Sequence, residues 1–329
     1  MILLTHGDRI PAVGVMQRML NLTRSMDARL STVPEVREDA FFGRDTREAL
    51  VAAQRGLSIA DDGALGPESW RELAGIAKFR VVHVVDRAIE HMFATLGRAG
   101  VAERARERYR SEHENATDVQ ADSFAEAIVE RCQHEIALFT SIADGYRGIG
   151  GDPIEITSMT DPLTEIRRGI ASRSRDGWKV VILRIVAHGG PARQIIACSP
   201  FGSYTLDTDL MRFDDDDSPS EIVETILLNS MTVGMANFGC LELHGCNIAR
   251  RLRPERRRGG AAPRPPTLSG RPYVQALANA VSHAATAALG SQRANGSTRE
   301  VVRYEGQTVS SYPGGATAEE WFAARVTLP

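Results

Sequence analysis

The run Trp178–Ala187 (WKVVILRIVA) constrains the fold of this chain more than any other feature. Apart from Lys179 and Arg184 it is apolar throughout and rich in β-branched residues. It therefore reads as a strand buried on both faces, the environment of a central strand in a largely parallel sheet. It is too short to span a bilayer, and Arg184 interrupts it. The surrounding patterns supply the helices that such a strand needs. Ile154–Thr157 is a short β-rich run, Asp161–Ser172 has helical spacing, and Gln194–Cys198 reads as a further strand. Pro219–Asn229 reads as a helix capped by Ser218 or Ser220, Phe238–Leu243 as a second buried strand, and Tyr273–Leu289 as an alanine-rich helix. Strands alternating with helices over residues 148–329 predict an α/β sandwich with a mostly parallel sheet.

The chain ahead of it has a different grammar. Over residues 1–77, Ile10-Pro11 opens a helix bearing Val13, Met16, Gln17, Met19 and Leu20, with proline in the first turn where no N–H is required. Phe42-Gly43 leads into a second helix, with Asp45 as N-cap and Ala49, Leu50 and Ala53 on one face. Asp62-Gly63 is a turn, and Gly66-Pro67 opens a third helix carrying Trp70 and Leu73. A segment this short makes only a small core of its own. Residues 78–147 show helical spacing at Val81, Val82, Val85, Ile89, Met92, Phe93 and Leu96, and again at Phe124, Ile128, Cys132, Ile136 and Phe139. The polar stretch Arg104–Asp118 divides them, and the segment reads as a helical spacer. The expected layout is thus multidomain, α followed by α/β.

Composition narrows the partners. With 39 Lys+Arg against 42 Asp+Glu the net charge is −3, which gives no global case for nucleic acid or anionic lipid. The N-terminus MILLTHGDRIPAVGVM has no basic region and only four apolar residues at its start, so no signal peptide is expected. That points to the cytoplasm or to export by a route without a signal peptide. Cys132, Cys198, Cys240 and Cys246 are too sparse for a disulfide scaffold and are read as free thiols. His83, His91 and His134 lack metal-ligand spacing. Neither a metal nor a cofactor is expected.

Two strands end alike. One runs into Ala187-His188-Gly189-Gly190 and the other into Leu243-His244-Gly245-Cys246-Asn247. In an open α/β sheet the loops after the strands' carboxyl ends form the ligand crevice. If the two strands are parallel neighbours, His188 and Cys246 emerge at one edge. A thiol with a pKa near ~8.5 is a weak nucleophile at neutral pH, and an adjacent imidazole takes its proton and later protonates a leaving amine. Gly189 after the histidine and Gly245 before the cysteine let backbone approach a substrate carbonyl. The N–H groups of Gly189 and Cys246 would then point at the developing oxyanion. Taken singly, His188 can be a turn histidine and Cys246 a buried thiol; together, at the ends of two apolar strands, they suit catalysis.

Two resemblances attach to these motifs. Val13…Gln17…Leu20, Phe42-Gly43…Thr46…Ala49-Leu50…Gln54, Asp62-Gly63 and Gly66-Pro67…Trp70…Leu73 resemble the peptidoglycan-binding domain found beside cell-wall enzymes. That resemblance implies a three-helix bundle with a shallow groove for wall polymer; Asp39-Ala40 stands where the family has Asp-Gly. The strand–His188-Gly189 and strand–Gly245-Cys246-Asn247-Ile248-Ala249 motifs, followed by Gly270…Tyr273-Val274-Gln275-Ala276-Leu277-Ala278, resemble the caspase-like cysteine peptidases, a group that includes gingipain, clostripain and separase. They are closest to a caspase-like domain of bacterial surface proteins. The resemblance implies His188 as general base and Cys246 as nucleophile, acting on a peptide or protein. The long insert Arg251–Ser269 departs from the family's short glycine-rich stretch.

Several other residues compete for roles. His244 lies two residues before Cys246 on the same strand face and is a fallback base. Cys240 reads as a core thiol, and Cys198, which ends a strand beside Ser199-Pro200, as either core or a redox bystander. Asp214, Asp215, Asp216 and Asp217 form either an acidic pocket for a basic substrate side chain or a solvated loop. Arg250–Arg271 holds eight arginines without aromatics and reads as an exposed loop, open to anionic partners or to self-cleavage. The expected function is a Cys–His hydrolase joined to a wall-binding-like module. Two alternatives stand beside it: a non-catalytic wall or adhesion protein on the same scaffold, and a peptidoglycan amidase or endopeptidase.

Overall fold

A computed structural model describes residues 3–158, 160–190, 193–206, 226–244, 270–288 and 307–325. Six strands form the main sheet: β1 (Phe79–Asp86), β2 (Ile154–Ile156), β3 (Lys179–Val186), β7 (Met235–His244), β8 (Ala284–Ala288) and β9 (Thr308–Ser311). Their spatial order is β2-β1-β3-β7-β8-β9. All pairs are parallel except β8 with β9, so the molecule is an α/β fold with a mostly parallel sheet. A second, antiparallel sheet of β4 (His188–Gly190), β5 (Arg193–Ser199) and β6 (Gly202–Leu206) follows directly from β3.

Helices cover both faces of the main sheet. One face is apolar along its whole height. Val82, Val84, Leu183, Ile185, Leu241, Leu243, Ala285 and Ala287 pack there on α6 (Pro162–Arg173) and α7 (Gly270–Val281). The opposite face is divided. Its lower part, Phe79, Ile182, Phe238, Cys240 and Ala284, packs on the N-terminal helices α1 (Pro11–Met26) and α3 (Pro67–Ala77), and α2 (Arg44–Gly56) joins the same core by packing on α1. Its upper part, Val85 and Val186, packs on Phe139, Ile142, Ala143 and Tyr146 of α5 (Asp118–Gly148). The α5 helix begins at a capping box of Thr117 with Gln120. It pairs with α4 (Ala88–Glu112), which breaks at Gly97, a residue at φ +67°.

The sequence reading needs correction at several elements. Residues 79–86, read there as the start of a helical spacer, form β1, paired between β2 and β3. Four valines in RVVHVV fit either a buried strand or a helix face, and only the pairing decides. The segment 78–147 therefore supplies a central strand and the two helices beside it, and is not a spacer. The alanine-rich tail read as the end of a helix at residue 289 is instead β8. The helix stops at Val281, Ser282 takes φ +53°, and AATAA enters the sheet beside β7. Gly43 stands at the N-cap of α2, with Asp45 in its first turn.

The N-terminal helices contain two matched turns. Gln17 donates to Asp39 Oδ1 (2.9 Å), the Phe41 carbonyl (3.1 Å) and Thr46 Oγ1 (3.0 Å), and accepts from the N–H groups of Asp39 and Ala40. Gln54 repeats this on Asp62, the Ala64 carbonyl and Ser69, and accepts from the Gly63 N–H. The left-handed residue of each turn is Ala40 (φ +57°) and Gly63 (φ +70°). Both glutamines are buried, so each turn is fixed by a satisfied polar centre.

The core of these helices is continuous with the sheet. Residues Pro11–Leu20 of α1 are buried on every side. Gly14 leaves room for the ring of Phe322 in α8 (Ala318–Ala323); a Cβ there would lie 2.1 Å from Phe322 Cε2. Arg18, also buried, bonds Glu38 and donates to the Phe322 (2.5 Å) and Arg325 (2.9 Å) carbonyls. It thereby satisfies the open carbonyl end of α8. The first and last helices are locked together on the lower sheet face.

Candidate functional site

The five parallel strands run in the order 2-1-3-4-5 counted along the main sheet, which puts the topological switch point between β1 and β3. β1 connects outward to β2, whereas β3 leads toward β7. The crevice expected at such a point lies beyond the carboxyl ends of the strands, and His188 stands there, two residues after β3 ends. The chain turns immediately into β4, where His188 pairs with Ile195 and Gly189 with Gln194. Gly189 thus sits in a short ladder at the rim of the sheet.

The His188 ring is held from α5. Its Nε2 lies 3.2 Å from Glu135 Oε2, and the Phe139 ring meets it edge-on at 5.4 Å between centroids. The His188 side chain is 32% exposed, the Glu135 side chain 9%. The imidazole is therefore partly open to solvent while its partner carboxylate is enclosed. Arg131 Nε bonds the other Glu135 oxygen at 2.9 Å. Burial works against ionisation of Glu135, but the bonds from His188 and Arg131 outweigh it and hold the carboxyl below its ordinary range. With Nε2–H engaged by Glu135, Nδ1 is the nitrogen left to take a proton.

Sequence reasoning passed over Glu135. A signal existed: it lies three residues after Cys132 and four before Phe139, inside the buried stripe of α5. A carboxylate on that stripe needs a partner, and a partner in the core is worth looking for.

β3 and β7 are parallel neighbours, with Val186 opposite His244. The Ala187 N–H donates to the His244 carbonyl at 3.1 Å. Buried Gln194 reaches across from β5 and donates to the Ile185 carbonyl (3.1 Å) and, at 3.5 Å, to that of His244. The strand ends that precede His188 and Cys246 are thus cross-tied. Gly245, Cys246, Asp214–Asp217 and residues 250–269 lie outside the described residues.

Below this rim a polar row crosses the divided face. The register places His83, Arg184, Glu242, Thr286 and Ser310 side by side on β1, β3, β7, β8 and β9. Arg184 bonds Glu242 through Nε (2.8 Å) and Nη2 (2.7 Å), with their side chains 2% and 1% exposed. His83 stacks on Tyr146 of α5 at 3.7 Å between centroids. Burial resists ionisation at Glu242, yet Arg184 and His244 bring its pKa down to about 2. Burial and the Arg184 charge push His244 down to about 4, against the pull of Glu242. His244, the fallback base, is therefore a neutral, enclosed ring facing Glu242 (3.4 Å), while His188 is partly open to solvent.

The remaining candidates separate clearly. Cys240 faces the core below Glu242, and burial drives its thiol well above the ordinary value. Burial likewise pushes Cys132 up to about 11. Neither is primed as a nucleophile. Cys198 lies in β5, and His91 and His134 are exposed on α4 and α5. Among the described residues no helix is long and apolar enough to cross a membrane. The fold and site define an α/β protein with a histidine–carboxylate pair at its switch point. No known family, curated protein or solved structure matches the chain.

Proposed function

We propose that this protein is a caspase-like cysteine hydrolase in which Cys246 attacks a peptide carbonyl and His188 serves as its general base. The observation that carries this reading is the His188–Glu135 pair at the carboxyl end of β3, beside the parallel strand β7. Cys246 follows the last residue of β7 by two positions, at most ~7 Å of extended chain. In this reading Glu135 holds the Nε2–H and stabilises the imidazolium as Nδ1 takes the thiol proton. The thiolate adds to the carbonyl, and the N–H groups of Gly189 and Cys246 receive the oxyanion. The same His188 proton then passes to the departing amine, and water releases the acyl group. Glu135 is a positioning residue, because it acts through His188. The N-terminal helices, with their two glutamine-centred turns, support the likeness to a wall-binding bundle.

The test is iodoacetamide labelling of the full chain across pH, site by site. Cys246 should react faster than Cys132 and Cys240, with an apparent pKa below the free-thiol ~8.5. His188→Ala should remove that advantage by ~100-fold or more in rate, and Glu135→Gln should move the profile toward that of a free thiol. A Cys246 that labels no faster than an ordinary thiol and ignores both substitutions would leave a binding protein on this scaffold. Incubation with isolated sacculi distinguishes the two hydrolases: soluble glycan–peptide fragments mark a wall hydrolase, and their absence beside cleavage of unfolded protein marks a peptidase.

A further inference from the structure

A second cleft lies at the opposite end of the sheet, where the strands begin. It encloses about 370 Å³ between α3 and the entries to β1, β2 and β3, at the small end of ligand-sized cavities. Its walls are mainly apolar, with Trp70 and Ala74 from α3, Phe79 and Val81 from β1, and Trp178 from the turn before β3. That turn is fixed: Trp178 N–H donates to the Arg175 carbonyl (3.0 Å), Lys78 Nζ to that of Asp176 (3.4 Å), and Lys179 N–H to that of Lys78 (2.9 Å).

Three arginines line this cleft, and they are not equivalent. Arg173 is neutralised by the Asp152 carboxylate at 2.7 Å and further occupied by the Asp152 and Pro153 carbonyls. Arg71 is shared between Glu68 and Glu72. Arg80 differs: among the described residues no carboxylate lies within ion-pair distance of it. Its guanidinium instead lies over the Trp178 ring, 4.4 Å from the centroid. A guanidinium packed on an indole and without a carboxylate partner among the described residues offers its N–H donors to a carboxylate from outside, and its fork geometry suits a grip through two bonds.

We propose that this cleft binds a small carboxylate with a flat apolar body, its carboxylate on Arg80 and its body along the apolar wall that begins at Trp178. The proposal stands apart from the His188 site, at the other end of the sheet. Calorimetric or saturation-transfer NMR titration of the full chain tests it with three probes of one shape: phenylacetate, phenylacetamide and phenethylamine. Phenylacetate should bind at least ~10-fold more tightly than the amide, as a charge-assisted bidentate contact requires, and the amine should bind more weakly than either. Arg80→Gln should erase the preference for the acid. Arg80→Lys keeps the charge within β1 but loses the fork, and should weaken phenylacetate binding while leaving it ahead of the amide. Equal binding of acid and amide, wild-type affinity in Arg80→Gln, or no saturable phenylacetate binding up to about 10 mM would each overturn the proposal.

Discussion

Replacing Glu242 by glutamine tests what holds β3 and β7 in register. The carboxylate is fully enclosed and bonds Arg184 at 2.7 and 2.8 Å, and Arg184 is itself only 2% exposed. Glutamine keeps the shape but removes the charge, leaving the guanidinium in the core without its counterion. Breaking a buried pair in this way costs about 3–5 kcal/mol, a large share of the ~5–15 kcal/mol that stabilises a folded domain. Denaturant unfolding followed by far-UV circular dichroism should report that loss. Hydrogen exchange should show it concentrated in Lys179–Val186 and Met235–His244. The double variant Arg184→Met/Glu242→Leu removes both charges together and should lie within about 1–2 kcal/mol of the parent, since an apolar pair avoids the desolvation penalty. An E242Q protein within about 1 kcal/mol of wild type, or a double variant worse than the single, would refute the argument that the ion pair organises this row.

The neighbouring histidine sets a pH dependence. Folded His244 titrates near about 4 and a free histidine near ~6.5. Between those values the unfolded chain takes a proton that the folded chain refuses. Stability should therefore fall as pH drops through this window, by up to about 3 kcal/mol, and His244→Asn should flatten the slope in a pH series of urea melts. At the lower sheet face, Phe322→Ala should cost about 3–5 kcal/mol and speed proteolysis of the C-terminal helix, because its ring fills the space above Gly14. Gly14→Ala alone should cost about 1–3 kcal/mol by overpacking, and a thermal melt matching wild type would contradict the packing. Ala40→Gly should stabilise by about 0.5 kcal/mol, the left-handed strain relieved less the entropy added to the unfolded chain, with an unchanged or lowered melting temperature counting against it.

Local pattern alone determined much of this protein. The apolar run Trp178–Ala187 is rich in β-branched residues and so reads as a strand of a sheet covered on both sides, and β3 and β7 do lie there as parallel neighbours. Proline and glycine placed the N-terminal helix starts within a residue or two, because those residues restrict backbone torsions wherever they occur. The strand-end position of His188 was legible for the same reason. What local pattern could not decide was partnership. RVVHVV fits a helix face as well as a strand until β2 and β3 pair with it, and AATAA favours a helix until β7 and β9 claim it. The first helix reads as part of a separate bundle until Phe322 and Arg18 join it to the far end of the chain. Glu135 reads as one of many helix carboxylates until the fold brings it to His188, 53 residues away in sequence. Pairing and burial depend on residues distant along the chain, so only the tertiary structure could supply the second half of the site.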